Sequence, residues 1–255
     1  MESRPLPPAP AWVHVPSSVA ARLRLFVFPH SGSGAYPYRV MSTSLPPWVE
    51  LSILQLPGRE TLFNAPMYYA MKPLVDATAR VILPKLELPY AFFGHSLGAH
   101  VAFELARELR HRNAALPRGL IASGTRAPHL PMRRMPLHDL PTPRFIEELR
   151  RYGGTPEAVL QNQELMDIFL PPLRADLTIF ETFTHSPDEP FDFPIAVFGG
   201  RSDHRLDPDE LEAWREHTRG RFSATFFDGG HFYLLERSRA AFLTSLRETL
   251  ETFGS

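Results

Sequence analysis

The stretch Ala91-Phe92-Phe93-Gly94-His95-Ser96-Leu97-Gly98-Ala99-His100 decides how the rest of the chain reads. A short apolar run ends in Gly-His-Ser-Leu-Gly. Apolar residues then recur at helical spacing through Ala99, Ala102, Phe103, Leu105, Ala106 and Leu109. This is G-x-S-x-G with a strand on one side and a helix on the other, the context in which the turn between them holds a serine hydroxyl at a helix N-terminus. Gly94 and Gly98 are required where a Cβ would collide with neighbouring backbone. A glycine-rich turn with an incidental serine would share the five residues but not the flanking strand and helix, so Ser96 is the candidate nucleophile.

Outward from this point, the pattern alternates. Strands are predicted at Leu23–Phe28, Leu51–Leu56, Gly119–Ser123, Ile195–Phe198 and Phe222–Phe227. Helices are predicted at Tyr36–Leu45, Tyr69–Leu83, Asp209–Thr218 and Tyr233–Thr252. The proline-rich residues 5–16 read as an extended arm. Between about 126 and 186 the alternation stops. Phe145, Ile146, Leu149 and Tyr152 share one helix face that Gly153-Gly154 terminates, and Gln163–Phe183 is helical in two pieces broken at Pro171-Pro172. The expected architecture is α/β, a single domain over residues 1–255. A mostly parallel central sheet carries helices on both faces, and a helical lid is inserted late.

A serine becomes nucleophilic when a base takes its proton and an acid orients that base. In an open strand–helix fold of this kind they follow in the order serine, acid, histidine. His231, in Asp228-Gly229-Gly230-His231-Phe232 after the last strand, is the predicted base. His204 lies instead in the loop where the acid belongs. Asp203, just past Val197-Phe198-Gly199-Gly200, is the predicted acid, while Asp207 and Asp209 around Pro208 read as helix cap and first turn. The oxyanion hole requires two backbone N–H groups. The expected pair is Leu97, following the nucleophile, and Ser31, in Pro29-His30-Ser31-Gly32 after the first predicted strand; His30 is expected to brace that loop.

Composition narrows the chemistry further. Of the 255 residues 44% are hydrophobic and 22% charged, ordinary values for a soluble globular chain. A formal net charge of -1 argues against nucleic acid or an anionic membrane as the main partner. The absence of cysteine excludes a thiol nucleophile, disulfides and thiolate metal sites. The first ten residues lack the apolar core of a secretory signal, and no run approaches the ~18 apolar residues of a membrane span, so a cytoplasmic location is expected.

With these residues placed, the chain resembles the type II thioesterases of polyketide and nonribosomal peptide synthesis, a family with the α/β-hydrolase fold. The likeness rests on Phe-Pro-His-Ser-Gly at 28–32, Leu-Pro-Gly-Arg-Glu at 56–60, Phe-Gly-His-Ser-Leu-Gly-Ala at 93–99, Phe-Gly-Gly-Arg-Ser-Asp at 198–203 and Gly-Gly-His-Phe-Tyr-Leu at 229–234. Leu173-Arg174-Ala175-Asp176 and Gly153-Gly154-Thr155-Pro156 resemble the family's lid. Ser31 departs from the alanine more usual there, a change that leaves the backbone donor intact. The resemblance implies hydrolysis of aberrant or stalled acyl groups from the phosphopantetheine arm of acyl- or peptidyl-carrier domains. It also implies an acyl-enzyme on Ser96 and no metal or organic cofactor. Met166, Phe169, Leu170, Leu173, Leu177 and Phe232 are the expected acyl-binding residues, and a monomer acting in trans is the expected state. Among the surface cations, Arg107, Arg110, Arg112, Arg133 and Arg134 read as a solvated face, with docking to an acidic carrier as the sharper alternative. The other readings of the same serine are an oxygen-ester hydrolase and a non-catalytic binding protein on this fold.

Overall fold

A computed structural model describes residues 7–254. The described residues form a seven-stranded sheet in the order β1-β3-β2-β4-β5-β6-β7. Its strands are β1 (Ala11–Val15), β2 (Leu23–Phe28), β3 (Val49–Gln55), β4 (Tyr90–His95), β5 (Leu120–Ser123), β6 (Ile195–Gly200) and β7 (Phe222–Phe227). All neighbours run parallel except β1, which pairs antiparallel with β3. The helices are α1 (Tyr36–Arg39), α2 (Met71–Ile82), α3 (Leu97–His111), α4 (Thr142–Tyr152), α5 (Glu157–Leu160), α6 (Gln163–Thr182), α7 (Pro208–Glu212) and α8 (Arg239–Gly254).

The apolar strands need both faces covered, and the side chains divide accordingly. On β2, Phe26 and Phe28 enter the core shared with α2 and α3, whereas Leu23, Leu25 and Val27 enter the opposite core with α8. On β4, Phe92 faces the first core and Ala91 and Phe93 the second. Each fully buried aromatic side chain of this kind contributes about 1.5–3 kcal/mol relative to exposure. Helices α4, α5 and α6 lie between β5 and β6 and build a third core of their own from Leu137, Phe145, Leu149, Leu160, Met166, Leu170, Leu173 and Leu177.

The helix predicted at Tyr36–Leu45 ends at Arg39 and gives way to a 3-10 turn over Val40–Thr43, and four further elements differ from the sequence reading. The arm, of which residues 5 and 6 lie outside the described residues, contains β1. Trp12 packs edge-on against Phe26 and Phe28 with ring centroids 4.8 and 5.6 Å away, and that packing recruits the segment between Pro10 and Pro16 into the sheet. The helix with Pro171 and Pro172 is continuous over Gln163–Thr182. Asp167 and Ile168, whose carbonyls lose their helical donors to the two prolines, are exposed, so water can take the donors' place. The last helix begins at Arg239, not at Tyr233. Tyr233 is instead held in the core by its hydroxyl, 2.6 Å from Ser123 Oγ. Helix α7 stops at Glu212 and continues as a 3-10 turn over Ala213–His217, while Asp207 caps it in a capping box with Glu210.

The core also sequesters histidines. Burial pushes His100 and His217 from their ordinary 6.5 down to about 3, with nearby cations and histidines adding to the effect. Between those limits the unfolded chain binds protons that the folded chain refuses, so stability falls as pH falls. Each such histidine steepens the loss by up to about 1.4 kcal/mol per pH unit. Urea denaturation at pH 7.5, 6.5, 5.5 and 4.5 is expected to show stability declining below about pH 6.5. His217→Phe is expected to flatten that decline, and an unchanged slope would contradict the assignment.

Candidate active site

The site is built at the carboxyl ends of β2, β4, β6 and β7. Ser96 follows β4 with φ 55° and ψ -121°, a left-handed backbone that costs on the order of 1–3 kcal/mol and is held by its surroundings. Its N–H donates to the Ser123 carbonyl at 2.8 Å. A Cβ on Gly98 would overlap the Phe28 carbonyl, and one on Gly94 the Ala99 backbone, so only glycine lets α3 pack this closely against the strands. Leu97 opens α3, where first-turn N–H groups lack intrahelical acceptors.

His231 and Asp203 come together from the loops after β7 and β6. His231 Nδ1 and Asp203 Oδ2 are 2.7 Å apart, and both residues are buried. Burial pushes the Asp203 carboxyl up, but the charge and hydrogen bond of His231 outweigh it. With the Arg205 amide donating to Oδ1 at 2.9 Å, they hold it below the usual carboxylate range. Asp203 is therefore an anion at neutral pH, as the orienting member of such a pair must be. His204 is exposed, and Asp207 caps α7. His30 Nδ1 lies 2.6 Å from the Tyr38 hydroxyl. Burial, helped by the charges of His231 and Arg59, depresses His30 to about 3, so it is neutral and braces the Ser31 loop. Beneath Ser96, the Ser123 hydroxyl joins His95 Nδ1 at 2.8 Å to the Tyr233 hydroxyl at 2.6 Å.

The loop of Ser31 is fixed from the lid. Asp176 of α6, only 2% exposed, accepts from the Gly32 N–H at 2.7 Å and from both terminal nitrogens of Arg59, at 2.5 and 2.9 Å. Arg59 also donates to the carbonyls of Ser33 and Pro57. A bidentate, buried pair therefore ties the insertion to the loops after β2 and β3.

Above Ser96 lies a cavity of about 500 Å³. Its apolar wall includes Leu149, Val159, Phe169, Leu173, Leu177 and Phe180. Ser31, His231 and Phe232 also line it. Among the residues expected at an acyl site, Phe169, Leu173, Leu177 and Phe232 face this cavity. Met166 and Leu170 do not line it. They turn inward into the lid's own core, which corrects the sequence reading of those two.

Tyr152, the last residue of α4, shows in the sequence only as part of an apolar helix face. Its hydroxyl lies 3.2 Å from His231 Nε2, and it borders the same cavity as Ser96. Burial pushes it up to about 12, so it is a neutral phenol. The only sequence sign of its place was the Gly153-Gly154 that follows it.

The arginines separate into two groups. Arg107 and Arg110 bind Asp188, at 3.2 and 2.6 Å, and Arg112 binds Glu108 at 2.7 Å. The first two tie α3 to the segment of Asp188 and the third pairs within its own helix, so the three do not form a free basic face. Arg133 is exposed, and Arg134 reaches Asp207 only at 3.8 Å.

The sequence matches the thioesterase domain family over residues 23–253. The chain belongs to the thioesterase family. It is 42% identical over 217 residues to the gramicidin S biosynthesis protein GrsT of Aneurinibacillus migulanus, covering 85% of each chain. The structure superposes on RedJ, a thioesterase of the prodiginine pathway in Streptomyces coelicolor, with a TM-score of 0.86 and 37% identity, covering 91% of this chain and 88% of that one. It superposes on the type II thioesterase BorB of the borrelidin cluster with a TM-score of 0.83 and 34% identity, covering 92% and 94%. The resemblance to type II thioesterases read from the sequence is thus borne out, and with it the α/β-hydrolase fold and the assignment as a serine hydrolase. No helix among the described residues is long and apolar enough to cross a membrane.

The Arg59–Asp176 pair makes a direct prediction. Asp176→Ala leaves a buried, unpaired guanidinium and is expected to cost about 3–5 kcal/mol. Arg59→Met combined with Asp176→Leu is expected to recover part of the loss, since a matched apolar pair carries no orphaned charge. Urea denaturation of Arg59→Met, Asp176→Leu and the double variant checks the coupling, and additive losses would contradict it.

Proposed function

We propose that the chain is an editing thioesterase that hydrolyses aberrant or stalled acyl groups from the phosphopantetheine arm of acyl- or peptidyl-carrier domains. One observation carries the reading. In a member of the thioesterase family, an oriented histidine and a serine on a strained elbow open onto an apolar cavity roofed by a helical insertion. The cavity suits an acyl chain, whose burial contributes about 0.8 kcal/mol per CH₂.

In the proposed reaction, Ser96 Oγ attacks the thioester carbonyl carbon while His231 takes the hydroxyl proton, and Asp203 stabilises the imidazolium. The negative charge on the carbonyl oxygen is met by the N–H groups of Leu97 and Ser31. Collapse breaks the carbon–sulfur bond, and the departing thiolate takes the proton from His231. Water then attacks the acyl-serine with the same histidine as base, releasing the acid and free Ser96. The mechanism calls on no metal or organic cofactor, the pantetheine being part of the substrate. The enzyme acts in trans, as a monomer in the cytoplasm.

Ser96→Ala and His231→Ala are each expected to lower turnover of an acylated carrier domain by about 10⁴-fold or more with the fold intact, because the residues work as a unit. Asp203→Asn is expected to be similarly impaired. Near-full activity of Asp203→Asn would remove Asp203 from the mechanism. A matched oxygen ester distinguishes the rival esterase reading, which would be favoured if the oxygen ester were cleaved faster than the thioester. Leu173→Trp is expected to depress hydrolysis of long acyl chains more than of acetyl or propionyl, read as kcat/KM across a chain-length series. An equal loss at every length would place the acyl chain elsewhere.

A further inference from the structure

Two hollows reach Ser96, and Tyr152 is a wall of both. One is the apolar cavity. The other is a narrow cleft of about 50 Å³ bordered by Arg126, Arg133, Arg134 and Arg205. Between them the Tyr152 hydroxyl lies 3.2 Å from His231 Nε2, with Ser96 on the border of both hollows. In thioester cleavage the sulfur must come within hydrogen-bonding reach of His231 to receive its proton. The phenol already holds that place, and the two groups cannot share it.

We propose that Tyr152 is a specificity-determining residue: its phenol occupies the leaving-sulfur position of the resting enzyme and yields it to thioesters whose arm carries a phosphate. The inference rests on the thioesterase reading above.

Three observations carry it. The cleft offers about 50 Å³ against about 500 Å³ in the apolar cavity, so an arm lying along its arginines needs a wall to move. Tyr152 is the wall placed to do so, because Gly153 and Gly154, with φ of 78° and 80°, follow it directly. Finally, the ring is held by groups that an anion can disengage. The Arg205 guanidinium and the His231 ring each lie 4.8 Å from its centroid. Arg205 also borders the cleft, where a phosphate would compete for its guanidinium with charge-assisted hydrogen bonds stronger than a ring contact. An acyl chain on a short neutral thiol offers nothing that draws Arg205 away. Binding energy from the remote phosphate is thereby spent on clearing the reacting centre.

The test compares S-acyl-pantetheine with S-acyl-4′-phosphopantetheine, bearing the same acyl group, on the wild-type chain and on Tyr152→Phe. A small neutral fluorophosphonate reads serine reactivity independently of substrate class. The wild type is expected to prefer the phosphorylated thioester by about tenfold or more in kcat/KM. In Tyr152→Phe the preference is expected to narrow by about fivefold, chiefly through faster cleavage of the unphosphorylated thioester, and fluorophosphonate inactivation is expected to quicken by a similar factor. Arg205→Gln is expected to narrow the preference as well. A wild type indifferent to the phosphate would overturn the inference. So would a Tyr152→Phe protein of unchanged melting temperature that reacts more slowly with all three compounds, since the phenol would then assist the chemistry. Should the wild type cleave neither thioester yet react with the fluorophosphonate, the thioesterase reading falls. Faster inactivation of Tyr152→Phe would still uphold the phenol as an occupant of the site.

Discussion

The carboxylate of Asp176 inside the loops after β2 and β3 is the contact on which the geometry of the site depends. A lid that only rested on the sheet would leave the Ser31 loop to its own flexibility. Here α6 reaches down with a side chain that accepts the Gly32 N–H and both ends of the Arg59 guanidinium. Arg59 in turn gathers the carbonyls of Ser33 and Pro57. Three segments distant in sequence are thereby set by one ion pair. The pair is costly to desolvate and more costly to break, so the loops have little freedom to rearrange while the lid is in place. The peptide beside the reacting serine thus has a defined position only when the insertion is docked.

The other half of the site owes its order to the sheet. Ser96 sits in an unfavourable backbone region because α3 approaches β2 so closely that Gly98 meets the Phe28 carbonyl. Below it, His95, Ser123 and Tyr233 form a buried polar chain. Burial depresses the His95 imidazole and raises the Tyr233 phenol, so both are neutral and add no charge beneath the nucleophile. The Asp203 carboxylate, paired with His231, stands to one side. The loops at the sheet's edge set Ser96, His231 and Asp203, the insertion supplies the roof and the brace, and Tyr152 is where the two halves touch.

Much of this was legible in the sequence because it was local. The elbow needs glycines at fixed offsets from Ser96, and a strand before and a helix after it can be read directly. Asp203 and His231 follow from their positions after consecutive strands. What was not legible depends on partners distant along the chain. Strand β1 lies among prolines and is fixed by Trp12 meeting Phe26 and Phe28. Two prolines in α6 argue for a break, and only the exposure of Asp167 and Ile168, whose carbonyls lose their donors, shows why none is needed. Met166 and Leu170 share the helix of Leu173 and Leu177, but only the lid's tertiary packing separates core-facing from cavity-facing positions. Tyr152 belongs to the same class, an aromatic on an amphipathic helix whose hydroxyl has meaning only beside His231.

The central claim is that Ser96 carries the acyl group between thioester and water, and the direct measurement is the mass of the protein during turnover. The purified chain is mixed with an acylated carrier domain, quenched in acid at successive times, digested and weighed peptide by peptide. The account predicts a transient increment equal to the acyl group on the peptide containing Ser96, rising as carrier thiol is released and decaying as free acid accumulates. Thiol and acid released together with no such increment, or an increment on any other peptide, would contradict it.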